Sequence, residues 1–404
     1  MNIRPFAALR PRPQSASAVA AVPYDVVDTA EARALAAGNP ESFLHVSRPE
    51  IDMPPGTDCS SPEAYAQARR ALDALRSSGS LFKDDAPKYY AYRQTMGSHS
   101  QTGIVATFDA KDYLAGVLKQ HEKTRKDKED DRTRHIEILS AHTGPAFLTY
   151  KDDPAIDAIV AEACVGAPLY DFTAPDGIRH TVWEIAQAGS CRADELQERF
   201  ALIPAAYIAD GHHRSAAAAR YAREKNFEGE SRWYLAVAFP ASQLKILPYN
   251  RLVADLNGLS SADVLAKARE VFDVTPAQDG SPAAGRHARM FIGGSWYDLA
   301  WEVPEGTDVV SSLDVSVLQD RFLAPVLGID DPRTSPRISF MGGIRGTDAL
   351  KARVEDGSAA VAFSMYPVTV GEMMDIADAG AIMPPKSTWF EPKLRSGLFV
   401  HLID

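Results

Sequence analysis

Apolar and polar side chains alternate with the period of a strand in several stretches of the chain. Tyr89 to Arg93 and Gly103 to Phe108 read as neighbouring strands joined by the polar turn Gly97 to Ser100, an antiparallel hairpin. Asn39 to Pro49 alternates too, and predicts a half-buried strand with Phe43 and His45 on one face. A second hairpin is predicted where Arg289 to Ile292 and Trp296 to Trp301 flank Gly293 and Gly294. Helical spacing runs from about Thr29 to Ala37. It returns after Ser61, a residue able to cap a helix whose first turn accepts Pro62; the apolar stripe continues through Leu72 and Leu75 toward a stop at Gly79.

The charged stretch Arg125 to Arg134 predicts a helix capped by Asp127, with Glu129, Asp130 and Asp131 in its first turn, where acids complement the helix dipole. Arg132, His135, Ile136 and Leu139 then follow at three- and four-residue steps, so Arg132 and His135 share a face bordering the apolar stripe. Further along, Ala205 to Ala209 is a predicted strand, Asp210-Gly211 a sharp turn, and His213 to Lys225 an alanine-rich helix. The last such pair is a strand from Ala359 to Met365 and a helix from Thr369 to Ala379, before a proline-containing tail from Met383 to Lys393.

Length and composition frame these elements. A chain of 404 residues exceeds one ordinary core, so two lobes are expected, 1–245 and 246–404. Hydrophobic residues at 45% and charged residues at 24% are those of a folded globular protein. The formal charge of -11 argues against sequence-independent attraction to nucleic acid or anionic membrane, both of which need an excess of Lys and Arg. Cys59, Cys164 and Cys191 have neither disulfide-framework nor zinc-knuckle spacing, and no apolar run approaches a spanning helix, so a cytoplasmic location is expected. The expected partner is a small-molecule substrate, with no nucleic acid and no membrane, and with a homo-oligomer allowed.

The densest chemistry lies in Asp210, Gly211, His212, His213 and Arg214. Glycine permits a turn closed to other residues, and the helix that follows aims unpaired backbone N–H groups outward, where an anion binds. Arg214 in the first turn can grip phosphate through two parallel hydrogen bonds, His212 or His213 can donate another or move a proton, and Asp210 can hold a histidine or a metal. The plainer reading makes Asp210 a helix cap and the histidines packing residues. His121, Glu122, Lys123 and Thr124, with Arg132 and His135 downstream, form a second cluster of acid, base and cation suited to proton transfer beside an anion, with Glu122 as first choice for general base. A solvated charged loop would look the same. Lys386, Ser387, Thr388 and Lys393 offer a third set of cations and hydroxyls that can reach phosphate. Zinc is disfavoured, since HExxH and Cys/His ligand spacings are absent, as are GxxxxGK[ST], GxGxxG and GxSxG.

The string Ile208 to Ala217 resembles the signature of the ParB/sulfiredoxin-like superfamily, in particular its free serine kinase branch. The chain as a whole resembles a bacterial family of unknown function related to that branch, through Val22 to Asp25, Lys119 to Thr124, Asp131-Arg132, Asp210 to Arg214 and Pro384 to Thr388. The resemblance implies a mixed α/β fold, a ParB/sulfiredoxin-like core with an additional C-terminal α/β lobe. It also implies phosphoryl transfer to free L-serine, or a similar small hydroxyl metabolite, from ATP, ADP or pyrophosphate. In that scheme Asp210, Gly211, His212, His213 and Arg214 grip phosphate, Glu122 activates the hydroxyl, and Mg²⁺ sits at Asp210. Compact serine kinases keep the glutamate closer to the aspartate-glycine motif than Glu122 is to Asp210, so another acid, such as Glu41, stays open as the base. A phosphoserine or small-molecule phosphatase, and a non-catalytic ParB-like nucleotide-binding module, are the alternatives.

Overall fold

Ile3–Arg4 (β1), Lys88–Met96 (β2), His99–Asp109 (β3), Leu118–Lys119 (β4), Ala146–Tyr150 (β5), Tyr170–Thr173 (β6), Arg179–Gln187 (β7), Ala206–Asp210 (β8) and Trp233–Pro240 (β9) build one mixed sheet. Their order is β4-β8-β5-β9-β3-β2-β7-β6, with β1 on β3. β8 runs parallel to β4 and β9 parallel to β5, while the remaining pairs are antiparallel. The computed structural model describes residues 1–403 and divides into two units, Met1–Leu244 together with the chain from Pro392 onward, and Lys245–Glu391.

Helices of the first unit are placed by their caps and apolar faces. Asp28 and Glu31 form a reciprocal capping box at Thr29–Ala36 (α1), and Ser61 Oγ accepts the Ala64 N–H at the start of Pro62–Ser77 (α2). Lys126–Leu139 (α3) packs against His212–Glu224 (α4). α4 turns Ala217, Ala218, Ala219 and Ala222 into a core that includes Phe108, Leu148, Ile208 and Phe200. A neighbouring cluster gathers Leu9, Phe43, Leu44, Leu72 and Val400.

Three expectations change. Residues Leu44–Ser47 form a helical turn followed by a 3-10 turn, Pro49–Asp52, and not a strand. Adjacent Phe43 and Leu44 are both buried, which a one-faced strand cannot arrange, and Ser42 Oγ accepts the Leu44 N–H to start the turn. α3 begins two residues early, with Arg125 at its cap position, so Asp127 lies inside the first turn and pairs with Arg125. The chain from Pro392 onward, expected with the C-terminal lobe, belongs to the first unit: His401–Leu402 pairs with Ala141–His142, and Ala21 bridges to Ser396.

The second unit carries Tyr249–Val253 (β10), Asp273–Ala277 (β11), His287–Ile292 (β12), Ser295–Ala300 (β13), Ile338–Gly342 (β14) and Val361–Met365 (β15), a wholly antiparallel sheet in the order β11-β13-β12-β15-β10-β14. The β12-β13 turn uses Gly293 and Gly294, both at positive φ. Among the described residues no helix is long and apolar enough to cross a membrane.

Candidate functional site

β8 ends at Asp210, and Gly211 adopts the left-handed conformation (φ 85°) that turns the chain into α4. No side chain caps α4: Gly211 has none to offer, and Asp210 faces Arg214 and Lys393. The first backbone N–H groups of α4 are thus left for an anion. Asp210 Oδ2 lies 3.1 Å from Arg214 Nη2 and 3.7 Å from Lys393 Nζ. Burial works to raise the Asp210 pKa, but Lys393, Arg214 and His212 together hold it down at about 2.

Arg214 is nearly enclosed. Nη1 donates to the Pro145 carbonyl, Nη2 faces Asp210 and lies 3.7 Å from Asp25, and Nε is buried without a hydrogen-bond partner. Arg132 reaches the same cavity from α3, its guanidinium 4.0 Å above the Tyr24 ring and 2.7 Å from Asp131. Asp131 is held in turn by Tyr65 Oη at 2.7 Å. Burial opposes the charge on both arginines, yet Asp25 and Asp210 for Arg214, and Tyr24 and Asp131 for Arg132, leave each guanidinium raised above its ordinary value. Burial also pushes the Tyr24 phenol up to about 12, so it stays a donor at neutral pH. His135, His142, Thr143, Gly144 and Ser396 are among the other residues that line the cavity. His135 is turned to the Val46 carbonyl at 3.3 Å, and burial pushes it down to about 3, so it is neutral there.

The other expected residues do not line this cavity. His121 and Glu122 stand beside His212: the two imidazole rings meet edge to face at 4.6 Å, and Glu122 Oε2 is 3.9 Å from His212 Nδ1. His213 Nε2 accepts the Arg125 backbone N–H at 3.0 Å, which puts its own proton on Nδ1. Lys123 is exposed, and Thr124 Oγ1 donates to Glu129 at 3.4 Å. Glu41 accepts from Ser15 and Ser80 and is not a cavity residue. Lys386, Ser387 and Thr388 belong to the second unit, where Lys386 Nζ lies 5.2 Å from the Tyr249 ring centre and Ser387 Oγ donates to the Pro384 carbonyl.

Mg²⁺ at Asp210 does not fit. That ion is held by one or two carboxylates together with waters and substrate phosphates, whereas the Asp210 carboxylate is already shared between two cations, Arg214 and Lys393, which compete with a metal for its oxygens. Asp25, beside Arg214, and Ser396, on the returning tail, are among the residues brought to the site that spacing did not single out. The signal for Asp25 was its place in Val22 to Asp25; Ser396 carried none.

Among solved structures the chain is similar to a conserved hypothetical protein from Pyrococcus furiosus, at 13% identity and a TM-score of 0.38, covering 74% of this chain and 95% of that one. It is similar to SbnI with C-terminal truncation from Staphylococcus aureus, at 12% identity and a TM-score of 0.40, covering 74% and 87%. It is also similar to a free serine kinase in complex with AMP, at 12% identity and a TM-score of 0.38, covering 73% and 91%. No curated protein matches it. The model of the family described as protein of unknown function (DUF1015) matches residues 3–316, and the chain belongs to that family.

Proposed function

We propose that the first unit is a phosphotransferase that moves a phosphoryl group from a nucleotide or pyrophosphate to a small hydroxyl metabolite, free L-serine first. The observation that carries this is the convergence of two largely enclosed guanidiniums, Arg132 and Arg214, on one cavity beside the uncapped N-terminus of α4. Phosphoryl transfer asks the protein for little covalent chemistry and much charge placement, and forks of this kind match the equatorial oxygens of the moving group. Arg214 Nε, buried and without a partner, is a donor waiting for an acceptor. The Tyr24 phenol, neutral at working pH, is a further donor to phosphate. The carboxylates that suit proton removal from the acceptor are Asp25, 3.7 Å from Arg214, and Glu122, half exposed beside His212. Asp210, held ionised to about pH 2, is too weak a base and serves to orient Arg214. Any Mg²⁺ enters on the donor's phosphates, as part of the substrate.

Phosphorus NMR of the purified protein with free serine and Mg²⁺, offering ATP, ADP and pyrophosphate in separate samples, tests the reading. Phosphoserine is expected with one of the three, and Arg214→Ala and Arg132→Ala should each slow its formation by about 10²-fold or more. Asp25→Asn and Glu122→Gln identify the base by which of them abolishes turnover with donor binding kept. Phosphate release without phosphoserine would make the protein a phosphatase, and bound, unchanged donor would make it a binding module.

A further inference from the structure

We infer that His121, Glu122 and His212 form a binding site for one divalent transition metal of the zinc class. The inference goes beyond the phosphotransfer reading and does not depend on it. Topology explains why residues so far apart in sequence meet. β4 and β8 are parallel neighbours, with Leu118 opposite Ala206 and Lys119 opposite Tyr207, so the chain leaves both strands at the same end of the sheet. His121 and Glu122 lie just past the end of β4, and His212 just past the end of β8.

One ligating atom from each of the three side chains can be chosen so that all lie within 4.8 Å of one another. Bonds of about 2.0–2.2 Å to nitrogen and oxygen would draw such atoms roughly 1 Å closer together. Glu122 can supply that movement, because its side chain is 47% exposed on a loop, while His121 and His212 are fixed walls at 2% and 5% exposure. His212 Nε2 is buried with no hydrogen-bond partner, and its Nδ1 stands 3.9 Å from Glu122 Oε2, beyond hydrogen-bond reach of that carboxylate. A buried ring nitrogen without a partner is costly, and a metal ion bound to it relieves that cost. His121 is held by the Ile208 backbone, the kind of outer contact that orients a ligating ring, and Asp210 supplies negative charge near both imidazoles.

The donor set selects the ion. Two imidazoles with one carboxylate suit zinc and its first-row neighbours, whereas Mg²⁺ and Ca²⁺ prefer oxygen alone. Three protein ligands with an exposed side leave a coordination position open, as in catalytic metal sites. A metal there occupies Glu122 and leaves Asp25 as the carboxylate that takes the acceptor's proton.

The test is isothermal titration of the chelator-stripped, full-length protein with zinc chloride alone, with bound metal counted by elemental analysis. One zinc per chain is expected, unaffected by millimolar Mg²⁺. Glu122→Gln and His212→Gln should each weaken binding by about 100-fold or more, and His287→Gln in the second unit should leave it unchanged. Glu122→Gln alters a half-exposed loop residue, so it remains informative if His212→Gln does not fold. Absence of a stoichiometric zinc, or binding that survives Glu122→Gln undiminished, overturns the inference and leaves the phosphotransfer reading standing.

Discussion

Gly211 concentrates two demands that only glycine meets. Its φ is 85°, and a methyl group there would come within 2.9 Å of Arg214 Nε. Gly211→Ala is therefore expected to lose roughly 1–2 kcal/mol for the left-handed backbone, and also to displace the guanidinium and weaken phosphate binding. Gly97 isolates the first effect, since it has φ 59° with nothing near its missing methyl. Gly97→Ala should lower the melting temperature and leave phosphate affinity alone. Thermal unfolding and phosphate titration of the two variants decide the matter: equal phosphate affinities would mean that Arg214 does not depend on the turn. At this scale the Asp210 to Arg214 string was legible because its turn, helix start and cation are contiguous. The roles of Asp25 and Lys393 were not, because each acts on Arg214 or Asp210 from a segment distant in sequence.

The helix that presents Arg214 is built from small residues for a geometric reason. Ala217 and Ala222 are fully buried between α4 and the sheet, and α3, which carries Arg132 and His135, packs on the same helix. Close approach of α3 and α4 is what lets arginines from both reach one cavity. Ala217→Leu should cost about 1–3 kcal/mol by overpacking and should lower phosphate affinity more than its stability loss alone explains. Urea unfolding beside phosphate titration checks this, and a variant destabilised with native affinity would separate helix spacing from site geometry. Elements defined by local chemistry were readable: the two glycine hairpins, the Ser61 cap, and the shared face of Arg132 and His135, which both line the cavity. Residues 43–47 were not, because five alternating positions between prolines fit a strand or a single helical turn equally well, and burial of adjacent Phe43 and Leu44 is a tertiary fact. The His121, Glu122 and His212 group was hidden likewise, since parallel pairing of two strands leaves no motif.

Across the whole molecule, buried neutral histidines set the response to acid. His180 is fully buried, Tyr92 Oη lies 2.7 Å from its Nδ1, and Arg395 Nε donates to its Nε2 at 3.1 Å. Protonating Nε2 would set a cation against that guanidinium; burial first and Arg395 second hold His180 at about 3. Burial and Arg132 hold His135 at about 3 in the same way, and burial with His401 keeps His142 well below its ordinary value. The unfolded chain binds these protons near pH 6.5 and the folded chain does not, so their contribution is intact above that value and is lost as pH falls below it. Each such histidine lowers stability by about 1.4 kcal/mol per pH unit there. The free energy of unfolding in urea should accordingly drop from pH 6.5 to 4.5 more steeply than carboxylates alone produce. His180→Asn, although less stable at pH 7 through lost packing, should fall less steeply by close to one proton. A slope identical to that of the native chain would mean that His180 is protonated in the fold. The Arg395 contact, formed only because the tail returns to the first unit, would then need a different account.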